Sequence, residues 1–367
     1  MALVLAVRCP VPLTELRTPE EAVALDFEKL QTYLASKGLD LDLSFSPRQM
    51  KGGLSNLNFI TRISGEWAVL RCAPRGELPR GAHDRVREHR VLSRLPDAFP
   101  LAPRSLHLCE NIKVVGSQFQ ILEYRSGRSI RGTDMSSVAN VDNVGRILTN
   151  VMVDLLASLH DVDPASVALQ DLGRPGGFVG RSAENWTNRG LEAAATEDQA
   201  ELVAGLARWL AATLPDLPRN PPTLLHCDFK LDNIMLAHAS LDPVAVLDWD
   251  MCTRGEPLFD LATLLSYWTE RDDPDCMHRL GQMPTAGHGF PSRAEVVQLY
   301  GDITGRSVQG FFPLWILCLV KLGVVFLQLD SRWRDGTMGP DEDGRSTHFG
   351  KTGWEILEFA KRNTEKA

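Results

Sequence analysis

The spacing of apolar residues changes character near residue 125. Upstream, residues 60–63 and 67–71 alternate apolar with polar and are rich in β-prone types, and 118–124 is a third strand-like run. Period-two alternation predicts strands, and the first two runs predict a hairpin within 50–70. Residues 83–95 depart from this pattern and predict a helix, with Val91, Leu92 and Leu95 on its apolar face. Thr18-Pro19-Glu20-Glu21 sets a capping Thr, a first-turn Pro and two acids in order, which predicts a helix running on to Gly38. Residues 1–18, with Pro10 and Pro12, read as a loosely packed arm. Downstream the spacing becomes helical. Helices are predicted at 144–160, 178–186, 191–214, from 258 onward, and at 292–304, 311–329 and 351–362, with loops at 271–291 and 335–346. Two short apolar runs, 233–236 and 244–247, flank the turn-rich 237–243 and predict a second hairpin. The chain is therefore expected to be α+β. Residues 1–125 form a lobe of antiparallel strands with a helix, and 126–367 a larger, mainly helical lobe.

The second hairpin carries the chemistry. His226-Cys227-Asp228-Phe229-Lys230-Leu231-Asp232-Asn233 leads into it and Asp248-Trp249-Asp250 leaves it. In an antiparallel pair the first residue of one strand faces the last of the other. Asn233 and Asp248 are thus expected to meet, with Asp228 on a polar loop at the same end. Three hard oxygen donors suit Mg2+ and a proton-accepting role better than a soft metal. In the first hairpin region, Lys51-Gly52-Gly53-Leu54-Ser55-Asn56 is a glycine-rich tip. Such a tip lets main-chain N–H groups approach phosphate oxygens with no Cβ in the way. It is neither Gly-x-Gly-x-x-Gly nor a Walker A motif.

The pattern His-x-Asp-x-Lys-x-x-Asn, hairpin, Asp resembles the catalytic loop and metal-binding Asp of eukaryotic-type kinases. With Asp248-Trp249-Asp250 in place of Asp-Phe-Gly, it is similar to the aminoglycoside phosphotransferase family of small-molecule kinases. Within that family it looks closest to the branch encoded beside, or fused to, acyl-CoA dehydrogenases. The resemblance covers roughly residues 45–330. It implies a bilobal protein-kinase-like fold and transfer of the γ-phosphoryl group of ATP to a hydroxyl. Asp228 would accept or orient the acceptor's proton, Lys230 would neutralise the moving phosphoryl, and Asn233 and Asp248 would bind Mg2+. Gly52, Gly53, Ser55, Asn56 and Arg71 would hold ATP phosphates, and the main chain around Glu123 and Tyr124 would read adenine. Arg71 stands where protein kinases carry Lys, and its rigid fork is not equivalent to a mobile ammonium. Glu88 would pair with Arg71, the alternative being an Arg such as Arg85 on its own helix. His226 would brace the loop and Cys227 would be a spacer. His160-Asp161 reads as a structural cap, and Asp260 suits the first turn of its helix and could brace the loop. Trp186, Arg181 and Arg189 could contact substrate or simply pack. The short link from Asp248 to residue 258 leaves no room for a long activation segment, which favours a small-molecule acceptor.

Composition narrows the partners. Net charge is −8 over 367 residues, so the basic footprint of a nucleic-acid binder is missing. Seven scattered cysteines with no Cys-x-x-Cys pair suit reduced thiols in the cytoplasm. Residues 311–329 approach membrane-spanning length, but Lys321 sits near their centre, where a charge costs roughly 2.5–3.5 kcal/mol. A buried helix is expected, with no membrane partner, in a monomer or homodimer. The arginines of 71–94 could serve CoA phosphates or form a solvated face. The resemblance to the dehydrogenase-linked branch favours a hydroxyacyl-CoA as acceptor. An aminoglycoside, suited by the acidic loops at 270–275 and 341–343, is the alternative, and a nucleotide-binding pseudokinase module is a third reading.

Overall fold

The computed structural model describes residues 9–51, 56–73, 84–216, 219–336 and 348–366. The chain divides into two compact units: 1–128 with 167–169 and 235–252, and 129–166 with 170–234 and 253–367. Residues 235–252 lie far along the chain yet group with the first unit.

In the first unit, β1 (Arg48–Gln49), β2 (Leu57–Ile63), β3 (Glu66–Cys72), β4 (Ser105–Cys109) and β5 (Phe119–Glu123) form one antiparallel sheet, ordered β1-β2-β3-β5-β4. The β2–β3 hairpin turns on Ser64 and Gly65, both left-handed at φ 51° and 89°. A two-residue turn of this hand matches the twist of its strands. One sheet face buries Phe59, Leu70, Cys72, Phe119 and Ile121 against Leu30 and Leu34 of α1 (Phe27–Ala35). Strand residues alternate between faces, so Asn58, Arg71 and Gln120, paired across β2, β3 and β5, share the opposite face. There Gln120 Nε2 donates to Arg85 O at 2.6 Å and holds the start of α2 (Arg85–Leu92). Ile234–Leu236 pairs with Pro243–Val246, the expected second hairpin. Gly127 passes so close to it that a Cβ would stand 2.7 Å from Leu236 O.

Two expectations for the N-terminal region need correcting. The helix does not begin at Thr18. Residues 18–21 make a single turn, and Asp26 is the true cap, accepting from Lys29 N at 2.9 Å. Val23 N–H instead donates to the buried Gln49 side chain at 2.7 Å, so a tertiary bond overrides the local start signal. The arm is not loose from Cys9 on either. Val11 and Leu16 are buried against Ile60, and Leu16 bridges to Met50.

The second unit contains α3 (Val144–His160), α4 (Phe178–Ala193), α5 (Glu197–Thr213), α6 (Leu258–Ser266), α7 (Asp275–Leu280), α8 (Arg293–Thr304), α9 (Phe311–Arg334) and α10 (Phe349–Thr364). α7 lies inside the span expected to be loop. Two three-residue strands, Thr223–Leu225 and Thr253–Gly255, pair antiparallel. One runs straight into His226 and the other, through Glu256-Pro257, into α6. Gly255 is required at that junction, because a Cβ would stand 2.5 Å from the Phe178 ring. α9 is long and apolar enough to cross a membrane, but 72% of its most apolar stretch is buried inside the protein. It is the helix against which α4, α6 and α10 pack.

Candidate active site

In the first unit the site is a knot of charges on the face of the sheet opposite α1. Arg71 is 8% exposed. Its Nε lies 3.3 Å from Glu88 Oε1 and its Nη2 donates to Asp248 Oδ1. Glu88 also accepts from Arg85 Nη1, and Arg85 Nη2 donates to Asn56 Oδ1. Both pairings weighed for Glu88 therefore occur together: it bridges the strand Arg and the Arg of its own helix. Burial works against the Arg71 charge, but Glu88, Asp248 and Asp250 overcome it and keep the guanidinium protonated. Burial, aided by the charges of Asp248 and Glu88, pushes Asp250 up to about 7. A buried charge without partners would cost several kcal/mol, so these groups are interdependent. Asp248 adopts a left-handed backbone at φ 70°, which Asp and Asn tolerate better than most side chains. Trp249 anchors the turn: it is fully buried, Nε1 donates to Val246 O at 2.7 Å, and its ring meets Phe99 edge-on.

Of the glycine-rich tip, Gly52, Gly53 and Ser55 lie outside the described residues, and Asn56 is committed to Arg85. At the expected adenine strand, Glu123 Oε2 accepts from Arg104 N at 3.0 Å and the carboxylate pairs with Arg125 at 3.0 Å. Tyr124 packs onto the cluster of Val11, Leu16 and Ile60. Both side chains are thus engaged with the protein.

In the second unit the loop from His226 to Asn233 is tied down from several sides. Asp260, fully buried in the first turn of α6, accepts from His226 N at 2.6 Å and Cys227 N at 2.7 Å. Burial opposes its charge, yet the hydrogen bond and charge of His160, with His226, hold its carboxyl below the usual range. His160 is therefore more than a helix cap: its ring lies between Asp260 and Tyr300. Asp228 is presented at the end of this scaffold. Tyr267 OH donates to Asp228 Oδ1 at 3.0 Å, Asn233 Nδ2 lies 3.2 Å from Oδ2, and Lys230 Nζ lies 3.5 Å from Oδ2. Lys230 also sits 5.0 Å above the Tyr267 ring. Asp232 points elsewhere, accepting from Gly132 N at 3.1 Å, and burial raises its carboxyl. Tyr267 and Lys321, which donates to Cys227 O, were invisible as site residues in the sequence. Tyr267 follows the end of α6 and Lys321 lies in α9, both distant in the chain from the loop, and they belong to no motif.

Asn233 in the second unit and Asp248 in the first each offer an oxygen of the hard kind that a divalent ion takes. Asn233 spends its amide nitrogen on Asp228 O and Oδ2, leaving its amide oxygen for an ion. The Asp248 side chain keeps 35% of its surface exposed. Among the described residues no group of three or more His, Cys, Asp or Glu could hold a metal alone. Neither Trp186, 6% exposed, nor Arg189 is offered to a ligand: Arg189 stacks 4.1 Å over the Trp186 ring and donates to Gln328. Arg181 donates to the carbonyls of Gly176 and Arg174.

The family model described as APH, phosphotransferase enzyme family, matches residues 46–295. The chain belongs to this family. Acyl-CoA dehydrogenase family member 11 of Pongo abelii is 32% identical over 288 residues, covering 78% of this chain and 36% of that protein. The phosphotransferase thus spans about a third of that relative's length. A solved structure of a putative aminoglycoside phosphotransferase from Ralstonia eutropha is 25% identical, with a TM-score of 0.71 over 92% of this chain and 99% of that one. Aminoglycoside phosphotransferase APH(4)-Ia, solved with ADP and hygromycin B, is 14% identical, with a TM-score of 0.55 over 90% and 98% of the two chains. The α+β fold is therefore the kinase-like one of these neighbours, and the chain is a small-molecule kinase.

For this phosphotransferase, Tyr267→Phe is expected to lower turnover about tenfold, the value of one hydrogen bond to a charged group. The nucleotide KM should stay unchanged, because among the described residues the phenol is set against Asp228 and Lys230. Steady-state kinetics check this, and an unaltered turnover would refute a role for the phenol in orienting Asp228.

Proposed function

We propose that this phosphotransferase moves the γ-phosphoryl group of ATP to a small-molecule hydroxyl with Mg2+, and that the acceptor is a hydroxylated acyl-CoA such as a 4-hydroxyacyl-CoA. The observation that carries the reaction is the Asp228 carboxylate, oriented by Tyr267 on one oxygen and by Asn233 and Lys230 on the other. Held in this way it can receive the acceptor's proton. Lys230 neutralises charge on the phosphoryl in transit, and Arg71, braced by Glu88, faces the remaining phosphates. Asn233 and Asp248 would each offer a hard oxygen to Mg2+, and the ion would supply neutralisation of phosphate charge. Phosphoryl transfer asks little more of a protein than such positioning and charge compensation.

The acyl-CoA reading is supported by the relatives named as acyl-CoA dehydrogenase family members. Of the arginines between 71 and 94, Arg71 and Arg85 are bound into ion pairs with Glu88, so they are not the ones that would meet CoA phosphates. None of the seven cysteines is disulfide-bonded, which supports a reducing, cytoplasmic setting. The deciding experiment incubates the protein with Mg-ATP and a panel of hydroxyacyl-CoAs and aminoglycosides, read by mass gain of one phosphoryl group. Hydroxyacyl-CoAs should gain it and aminoglycosides should not. Gain on the aminoglycosides alone would overturn the acceptor, and no ATP turnover on any member would leave a nucleotide-binding interaction module.

A further inference from the structure

We propose that Lys321 is a positioning residue for phosphoryl transfer, acting through the main chain of the catalytic loop. The inference rests on the reading of Asp228 as proton acceptor. Lys321 lies mid-way along α9 in a run, Leu314 to Leu322, that is otherwise apolar and buried, and is itself 5% exposed. An ammonium taken so far out of water is costly unless a partner holds it. Here the Nζ donates to Cys227 O at 2.5 Å and lies 5.7 Å from the Phe259 ring.

Cys227 is where the loop bends back. Its φ is 65°, in the left-handed region, where a residue other than Gly is strained by roughly 1–3 kcal/mol and persists only if its surroundings fix it. Asp260 on α6 takes the N–H groups on one side of the bend. Lys321 on α9 takes the carbonyl on the other. That carbonyl belongs to the peptide unit joining Cys227 to Asp228, and the N–H of the same unit donates to His226 Nδ1 at 3.2 Å. Because a peptide unit is planar, holding its oxygen and its nitrogen fixes its orientation. The direction in which Asp228 leaves the chain follows from that plane. Lys321 thus acts on Asp228 without touching it. Its position in the middle of an apolar helix is explained by this one carbonyl.

The test compares Lys321→Met, which keeps most of the stem and removes the donor, with Asp228→Asn and the double variant. ADP release from Mg-ATP is followed with water or an accepted alcohol as acceptor. Lys321→Met is expected to lower kcat by about 10²-fold, the scale on which a misplaced catalytic group is felt, with the nucleotide KM changed less than about twofold. The double variant should lose no more than the worse single variant, because both changes act on one group. Turnover of Lys321→Met within about threefold of the parent, or losses that multiply in the double variant, would overturn the proposal. Parent-like turnover in Asp228→Asn would remove the reading beneath it and overturn both together. If thermal unfolding shows that Lys321→Met does not fold, Lys321→Gln, which keeps a donor for the carbonyl, is expected to fold. It should then retain more turnover than Asp228→Asn, and equal loss in the two would overturn the assignment.

Discussion

Asp248→Ala is expected to abolish Mg2+-dependent phosphoryl transfer while leaving a folded protein. A metal acting on transferring phosphates supplies several kcal/mol, so its loss should lower kcat by roughly 10³-fold or more. The stability effect should be far smaller. Asp248 shares Arg71 with Glu88, whose Oε1 stays 3.3 Å from Arg71 Nε when Asp248 is gone. No buried guanidinium is left without a carboxylate, and Trp249 still pins the turn. The remaining cost is an alanine held at φ 70°, roughly 1–2 kcal/mol. Asp248→Asn, which tolerates that backbone better, separates the two effects: it should be more stable than the alanine variant and still lack most of the turnover. Rates with and without Mg2+, beside thermal unfolding, check both parts. Near-normal Mg2+-dependent turnover in Asp248→Ala would end the metal assignment.

What the sequence could reveal follows from how far each interaction reaches along the chain. α3 was legible to the residue because its apolar stripe is continuous and needs no outside help. The β2–β3 hairpin was legible because its alternation and its turn are both local. The helix start at Thr18 misled, since a buried hydrogen bond from Val23 to Gln49 redirects the chain before the helix can form. The strands Thr223–Leu225 and Thr253–Gly255 were missed because three residues carry no period. At the site, the residues of one motif could be picked out together: Asp228, Lys230 and Asn233 lie within six positions. Tyr267 and Lys321 could not, because what makes them matter is the carboxylate or carbonyl that the fold sets beside them. Lys321 in particular reads as a blemish in an apolar helix until Cys227 O is seen at its tip. Glu88 shows the converse: two pairings that looked exclusive in one dimension coexist, since a carboxylate has two oxygens.

Asp228→Asn is expected to lower turnover by about 10²-fold or more, the range for loss of a general base, with nucleotide binding intact. The substitution preserves size and leaves an oxygen for the Tyr267 hydroxyl, so the bond at 3.0 Å can persist and the loop scaffold under Asp260 need not move. What disappears is the capacity to take a proton and the negative charge facing Lys230 at 3.5 Å. Asp228→Ala then divides the role. If Asp228 mainly orients the acceptor hydroxyl, the asparagine variant should keep much of the rate and the alanine variant little. If it mainly receives the proton, the two should be equally poor, because an amide oxygen can accept a hydrogen bond but is a negligible base near neutral pH. The second outcome is expected, because the structure already supplies orientation through Tyr267 and Asn233. Asparagine-variant turnover within about threefold of the parent would instead mean that Asp228 orients the acceptor hydroxyl and does not take its proton. Single-turnover rates at saturating Mg-ATP are the measurement, since they separate the phosphoryl-transfer step from product release that could mask it.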